Sequence, residues 1–462
     1  MSISIAELLR ERAGENFELH EKHLNTQMVR VLKTIGYDRV YTKAHGPYLY
    51  DNLGTEYLDL LSGFGVFALG RNHPTIIQAL KDVLDAELPD MVQMDVSLLS
   101  GLLSEKILAY CPPNLTKMFY CNSGAEAVEA AIKFSRYTTK RDKIIYCEHA
   151  FHGLTMGALS LNGEHVFREG FGPLLPGCAT VPFNDLTALD AALRNQDVAA
   201  FIVEPIQGKG VNLPSDDYLP EAAKLCRKYG TLFVADEIQT GIGRTGKFWA
   251  IDHYGVEPDM ILMAKALSGG FIPVGAVALS KQIMEAVFNR MDRAVVHGST
   301  FSKNNMAMAA GLATLSVLEE EKLVENAATI GGEIIAGLNA MIPKYDFFKE
   351  VRGKGLMIAL EFGAPDSLLR KPAWVTLETA NKGLFSQTIT IPLFKNHRIL
   401  SQVAGHGMNV VKFLPPLVVN AKDRDWILKA MDEVIGDTQK VGGAIWDLGK
   451  NLASHAMKAK AG

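Results

Sequence analysis

Between residues 117 and 279 the chain alternates short, wholly apolar runs with longer stretches of helical periodicity. The runs lie at 117–121, 143–147, 199–204, 232–236, 260–264 and 274–279, and helical patterns at 125–138, 218–229 and 281–290 separate several of them. A strand that is apolar at every position has no solvent face, so both sides of its sheet must be covered. Strands of this kind alternating with helices predict a mostly parallel sheet with helices on both faces, an α/β architecture. In such sheets ligands bind beyond the carboxyl ends of the strands. Three charged residues stand at those ends: Glu204, Asp236 and Lys265.

The flanking regions read differently. Residues 1–35 combine charge with helical apolar spacing and predict one or two surface helices. Residues 40–62 predict a small antiparallel sheet with a turn at 51–54. Residues 335–462 return to a mixed pattern, with a strand at 357–362, a helix at 424–435 and a tail at 458–462 expected to fray. A chain of 462 residues exceeds what one core usually holds. The expected division is a large domain at 75–334 and a smaller α+β domain at 335–462, to which 1–74 contributes its helices and sheet.

A net charge of −4 argues against general nucleic-acid binding, which needs a basic surface. No apolar run approaches a membrane span, and the N-terminus lacks the basic start and apolar core of a secretory signal. The five cysteines are odd in number and contain no Cys-x-x-Cys pair, so reduced thiols in a cytoplasmic protein are expected, with no metal site.

A carboxylate and an amine at the ends of buried strands are costly to leave unpaired. Asp236 and Lys265 are the pair that a pyridoxal phosphate site needs: the amine condenses with the cofactor aldehyde and the carboxylate keeps the pyridine nitrogen protonated. Each candidate has a plainer alternative. Ser123-Gly124-Ala125-Glu126 follows a strand and opens a helix, where free N–H groups favour a phosphate, but it also has the form of a capping box. Phe151-His152-Gly153 offers a ring to stack on the cofactor, or simply a core phenylalanine beside a turn. Asp236 could instead cap a helix or join a structural ion pair, and Lys265 could be a surface lysine. Ser299 and Thr300 precede a helix and could bind phosphate or cap it.

Taken in order, Asn122-Ser123-Gly124-Ala125-Glu126, Phe151-His152-Gly153, Glu204-Pro205-Ile206-Gln207-Gly208, the run from Asp236 to Gly246, Lys265, His297-Gly298-Ser299-Thr300-Phe301 and Pro415-Pro416-Leu417 resemble the class III aminotransferases. These are the ornithine-, acetylornithine- and putrescine-type pyridoxal phosphate enzymes, with the aspartate aminotransferase fold. The resemblance runs from about Gly46 to Val419. It implies that Lys265 carries the cofactor, Asp236 holds the ring nitrogen, Gln239 touches the phenolic oxygen and Phe151, next to His152, stacks on the ring. Ser123, Gly124 and Ala125 would hold the phosphate. Thr300 would reach the phosphate of a neighbouring subunit, so a homodimer with shared sites is expected, with pairing into tetramers left open.

One departure bears on substrate. The family carries arginine shortly before the Pro-Pro-Leu segment, where it grips a carboxylate. This chain has Lys412 there. Lysine is a point charge and lacks the two-pronged bond of a guanidinium. Lys412 could pair with Glu204, which resembles the family's gating glutamate, or lie solvated at a strand end; Arg398 is an alternative carboxylate binder. Phe64, Val66 and Phe67 are candidates for an apolar entrance. The expected reaction is ping-pong amino transfer from a terminal amine (a diamine, ω-amino acid or alkyl amine) to a 2-oxo acid. A same-fold aminomutase or decarboxylase, an ornithine-type enzyme acting on α-amino substrates, and a cofactor-free binding protein are the alternatives.

Overall fold

The computed structural model describes residues 3–440 apart from Gln93, together with Trp446. The tail at 458–462 therefore lies outside the described residues.

Among the described residues, fifteen strands form three sheets. In chain order they are β1 (Tyr41–His45), β2 (Tyr48–Asp51), β3 (Glu56–Asp59), β4 (Lys117–Cys121), β5 (Lys143–Cys147), β6 (Cys178–Val181), β7 (Val198–Val203), β8 (Leu232–Asp236), β9 (Met260–Met263), β10 (Gly275–Leu279), β11 (Phe348–Lys354), β12 (Met357–Phe362), β13 (Ile399–Leu400), β14 (Gln402–Val403) and β15 (Val410–Phe413). The seven-stranded sheet has the order β4-β10-β9-β8-β7-β5-β6. Its strands from β9 to β6 pair in parallel, and β10 runs antiparallel to both neighbours.

The apolar runs behave as two-faced strands. Phe201, Val203, Phe233, Ala235, Ile261 and Met263 pack into one core, and the alternating Ala200, Ile202, Val234, Met260 and Leu262 into another. This is the period-two side-chain alternation of a pleated strand with both faces covered. The helix Gly124–Thr139 covers the second face with Ala127, Val128, Ala131 and Phe134. The helices Tyr218–Tyr229 and Asn305–Glu320 contribute to the first.

Two four-stranded sheets flank this layer, ordered β1-β2-β3-β13 and β11-β12-β15-β14. Strand β13 pairs in parallel with β3, so the N- and C-terminal regions complete one sheet between them. Strand β6 escaped the sequence reading: Cys178-Ala179-Thr180-Val181 is an edge strand that buries only Val181, and its mixed composition gives no apolar run.

Strand order decides the site. Because β7, β8 and β9 are adjacent, their carboxyl ends put Glu204, Asp236 and Lys265 side by side.

Candidate active site

Two cavities meet above these strand ends. One, of about 390 Å³, is lined by Ser123, Gly124, Ala125, Phe151, His152 and Lys265 among others. The second, of about 430 Å³, is lined by Phe64, Phe151, Glu204, Gln239, Lys265 and Lys412 among others. Phe151, Ile238 and Lys265 line both. A flat ring between Phe151 and Ile238 would therefore face a substrate in the second cavity.

Lys265 follows β9 and has φ +36°, a left-handed conformation that a long side chain rarely adopts. Such strain costs about 1–3 kcal/mol and persists where surrounding structure holds it. Burial lowers the Lys265 pKa, opposed by the charges of Asp236 and Glu204. A neutral amine is the form that attacks an aldehyde.

Asp236 is buried at the end of β8, with one oxygen accepting from the Ile238 N–H at 3.1 Å. Its other oxygen accepts from His152 Nδ1 at 2.6 Å. Burial opposes charge on His152, but the hydrogen bond and charge of Asp236, with help from Glu204, outweigh it and raise the His152 pKa. The imidazole so aims the Asp236 side chain. His152 Nε2 is buried without a hydrogen-bond partner.

The candidate phosphate cradle is the first turn of the helix Gly124–Thr139. Ser123 is its N-cap, accepting from the Glu126 N–H at 3.2 Å, while Glu126 accepts from the Asn122 N–H at 2.7 Å. The Ser123 cap and the anion site thus coexist, but Glu126 reaches back to Asn122 and not to Ser123, so the expected capping box does not close. The Gly124 and Ala125 N–H groups have no partner among the described residues and lie at the 390 Å³ cavity. The helix dipole adds a positive field there. A Cβ at Gly124 would sit 3.0 Å from Ile238, tighter than an ordinary contact. These features fit a phosphorylated flat ring.

Gly275 sets the height of this cradle. A Cβ there would meet the Ser123 carbonyl oxygen at 2.3 Å, so the backbone must move. Gly275→Ala is expected to weaken cofactor affinity by roughly tenfold to a hundredfold, as overpacking costs about 1–3 kcal/mol. Absorbance titration of the cofactor-stripped protein measures it.

The substrate side is organised by Gly208. Glu204 accepts from the Phe151 N–H at 3.0 Å and the Gly208 N–H at 2.7 Å. Lys412 Nζ donates to the Gly208 carbonyl at 2.7 Å and to Gln239 Oε1 at 3.3 Å. Gln239 Nε2 in turn donates to the Phe64 carbonyl at 3.0 Å. Lys412 is buried on β15, not solvated, and makes no ion pair with Glu204; Gly208 stands between them. Burial and nearby Lys265 push its pKa down to about 7, while Glu204 opposes. Burial raises the Glu204 pKa, and the His152 charge opposes it.

Three candidates, Phe67, Thr300 and Arg398, fall outside these two cavities. The Phe67 ring packs on the Arg71 guanidinium at 3.8 Å and beneath Gly63 and Gly270, so it walls the site from behind and does not line the entrance. Thr300 is exposed on a turn and lines neither cavity. Val66 lines the 390 Å³ cavity. Arg398 lies over the Trp426 ring at 5.8 Å and lines neither cavity.

Ile238, Phe167 and Lys209 line the site without having been singled out from sequence. Ile238 could have been found: it is two residues beyond Asp236, on the same face of the turn. Lys209 and Phe167 carry no local signal.

The class-III aminotransferase family profile matches residues 33–435. This chain belongs to that family. Family membership makes the protein an amino-group transferase that uses pyridoxal phosphate, with the fold type I architecture of these enzymes. The chain is 39% identical to ornithine aminotransferase of Bacillus cereus (strain Q1) over 405 residues, covering 86% of this chain and 94% of that protein. It is 32% identical over 452 residues to aminotransferase PigE of Serratia sp., covering 91% of this chain; the chain spans 53% of that relative's length. An amine transaminase from an uncultivated Pseudomonas species, solved with pyridoxal phosphate bound, superposes with a TM-score of 0.74 at 28% identity, covering 86% of this chain and 94% of that one.

Proposed function

We propose that this aminotransferase takes its amino group from a terminal amine, such as a diamine, ω-amino acid or alkyl amine, and gives it to a 2-oxo acid. The observation that carries this reading is the state of residue 412. It is a lysine whose hydrogen bonds go to Gly208 and Gln239, and among the described residues no arginine lines the substrate cavity. A site without a guanidinium fork grips an α-carboxylate poorly. The walls of the cavity include Phe64, Phe151, Phe167, Val403 and Ala404, which suit an alkyl chain. The likeness to an amine transaminase supports the same reading.

When bound, pyridoxal phosphate supplies an aldehyde that condenses with amines and a ring that takes up the electrons released at the substrate carbon. Ser123, Gly124 and Ala125 would hold its phosphate, and Phe151 and Ile238 its ring faces. Gln239 would hold its phenolic oxygen. Asp236, aimed by His152, would face the ring nitrogen and favour its protonated form. Lys265 would hold the cofactor at its aldehyde carbon, and its free Nζ would carry the proton from the amine-bearing carbon to the cofactor.

A panel of amine donors tests the proposal. Terminal amines are expected to bleach the yellow cofactor band and α-amino acids to do so at least about tenfold more slowly, a difference of ~1.4 kcal/mol in transition-state binding. Turnover of α-amino acids alone would overturn it.

The same reading makes the enzyme a homodimer with shared sites. Met94 is 80% and Val96 98% exposed, and Val295 and Phe301 are also exposed. Ser97 bonds Asn305 and Lys303 bonds the Asp95 carbonyl, so both segments share one face, next to Thr300. An apolar face of this kind needs a cover. Sedimentation is expected to give a dimer or a multiple of it; Val96→Glu should shift the protein toward monomer and lower activity with it.

A further inference from the structure

Lys209 is an amine in this cavity that no hydrogen bond in the chain satisfies, though the charges of Glu164 and Glu204 act on it. Its side chain is 9% exposed, and its Nζ is buried with no hydrogen-bond partner. The ammonium lies over the Phe167 ring at 4.1 Å and the Phe151 ring at 5.4 Å. Ring faces attract a cation but accept none of its three N–H bonds in the way an oxygen does. A buried ammonium left in this state is costly unless an anion completes it. Burial brings its pKa down to about 8, so it still carries charge at neutral pH.

The position says which anion. Lys209 lines the substrate cavity and not the cavity that holds the phosphate cradle, so cofactor phosphate is excluded as the partner. It follows Gly208, whose carbonyl engages Lys412, while Lys412 has two acceptors of its own. With Lys265 assigned to the cofactor and Lys412 holding two acceptors, Lys209 is, among the described lysines of this cavity, the one with all three donors to spare. If the donor is a terminal amine, the two substrates that share this cavity differ in one group: the acceptor brings a carboxylate beside its carbonyl and the donor does not.

We infer that Lys209 is a specificity-determining residue, whose ammonium over the Phe167 and Phe151 rings binds the carboxylate of the 2-oxo acid acceptor. This rests on the proposed reading of the cavity as the place where a terminal amine and a 2-oxo acid alternate. It gives the site a means to accept an oxo acid without an arginine, using a cation that an alkyl amine can pass by.

The test compares two acceptors in the holoenzyme, pyruvate and the uncharged aldehyde butanal, with the same terminal amine as donor. Lys209→Met keeps the length and apolar packing of the stem and removes the charge. It should lower the ratio of kcat/KM for pyruvate over kcat/KM for butanal at least about tenfold, mainly through KM for pyruvate, as loss of a hydrogen bond to a charged group implies. Lys209→Arg should restore most of the ratio. An equal fall with both acceptors would mean that Lys209 only props the Phe151 ring, and would overturn the inference. So would an unchanged ratio. If the wild-type protein instead transfers from α-amino acids alone, the reading of the donor fails; the acceptor ratio, measured with such a donor, still tests Lys209.

Discussion

Replacement of Lys265 by alanine will leave a folded protein that binds pyridoxal phosphate without a covalent link and transfers amino groups at least about 10⁴-fold more slowly. Two losses combine. The amine that condenses with the aldehyde is gone, and so is the base that moves the substrate proton, which alone is worth about 10²–10⁴ in rate. The substitution leaves the backbone strain at φ +36° in place, since alanine keeps the Cβ that causes it, but no buried amine remains to be desolvated. Thermal stability should therefore hold or rise while activity disappears. Borohydride reduction followed by peptide mapping reads the link directly: the wild-type label should fall on the peptide carrying Lys265 and vanish in the variant. A label retained on another lysine, with Lys209 and Lys412 the nearest candidates in the cavity, would refute the assignment of Lys265.

Asp236→Asn should cost two to four orders of magnitude in the donor half-reaction while the cofactor remains attached. Asparagine fits the same space and can still accept from the Ile238 N–H, so the end of β8 keeps its shape. The negative charge is what disappears. Each unit by which Asp236 raises the ring-nitrogen pKa is worth about 1.4 kcal/mol, and removing one partner of a buried charged pair costs about 3–5 kcal/mol. His152 supplies an internal check. Asp236 and Glu204 raise its pKa against burial, so in the variant burial regains weight and the His152 pKa should fall. The sign for stability follows: a histidine whose pKa is raised on folding stabilises the fold below its unfolded pKa, about 6.5, and that contribution is lost as pH rises through the folded value. In Asp236→Asn this low-pH contribution should shrink. Stopped-flow bleaching by a terminal amine gives the rate, and melting temperature against pH gives the histidine term. A half-reaction within threefold of wild type would overturn the role of Asp236.

The elements that sequence placed well are those whose signal is local. The runs 232–236 and 117–121 became β8 and β4 with the same bounds, and 218–229 became a helix, because an apolar run or a helical period lies within a single segment. Strand β6 and the antiparallel direction of β10 were not legible, since an edge strand need not be apolar and pairing direction is a property of two segments. The same boundary runs through the site. Lys265 and Asp236 stood out as charges ending buried strands. Their contacts did not: His152 and Lys412 were candidates, but that His152 reaches Asp236 across 84 residues and Lys412 reaches Gly208 across 204 was not legible.

By itself, then, the order of residues settled most of the central strands, which charges end them and to which family the motifs belong, because those depend on neighbours along the chain. Folding alone decided that β7, β8 and β9 lie side by side, that Lys412 is buried and bonded to Gly208 and Gln239, and that the Lys209 amine rests unpaired over two rings. These are set by packing between segments far apart in sequence, where burial and the loss of water fix both the partners and the charge state of each group.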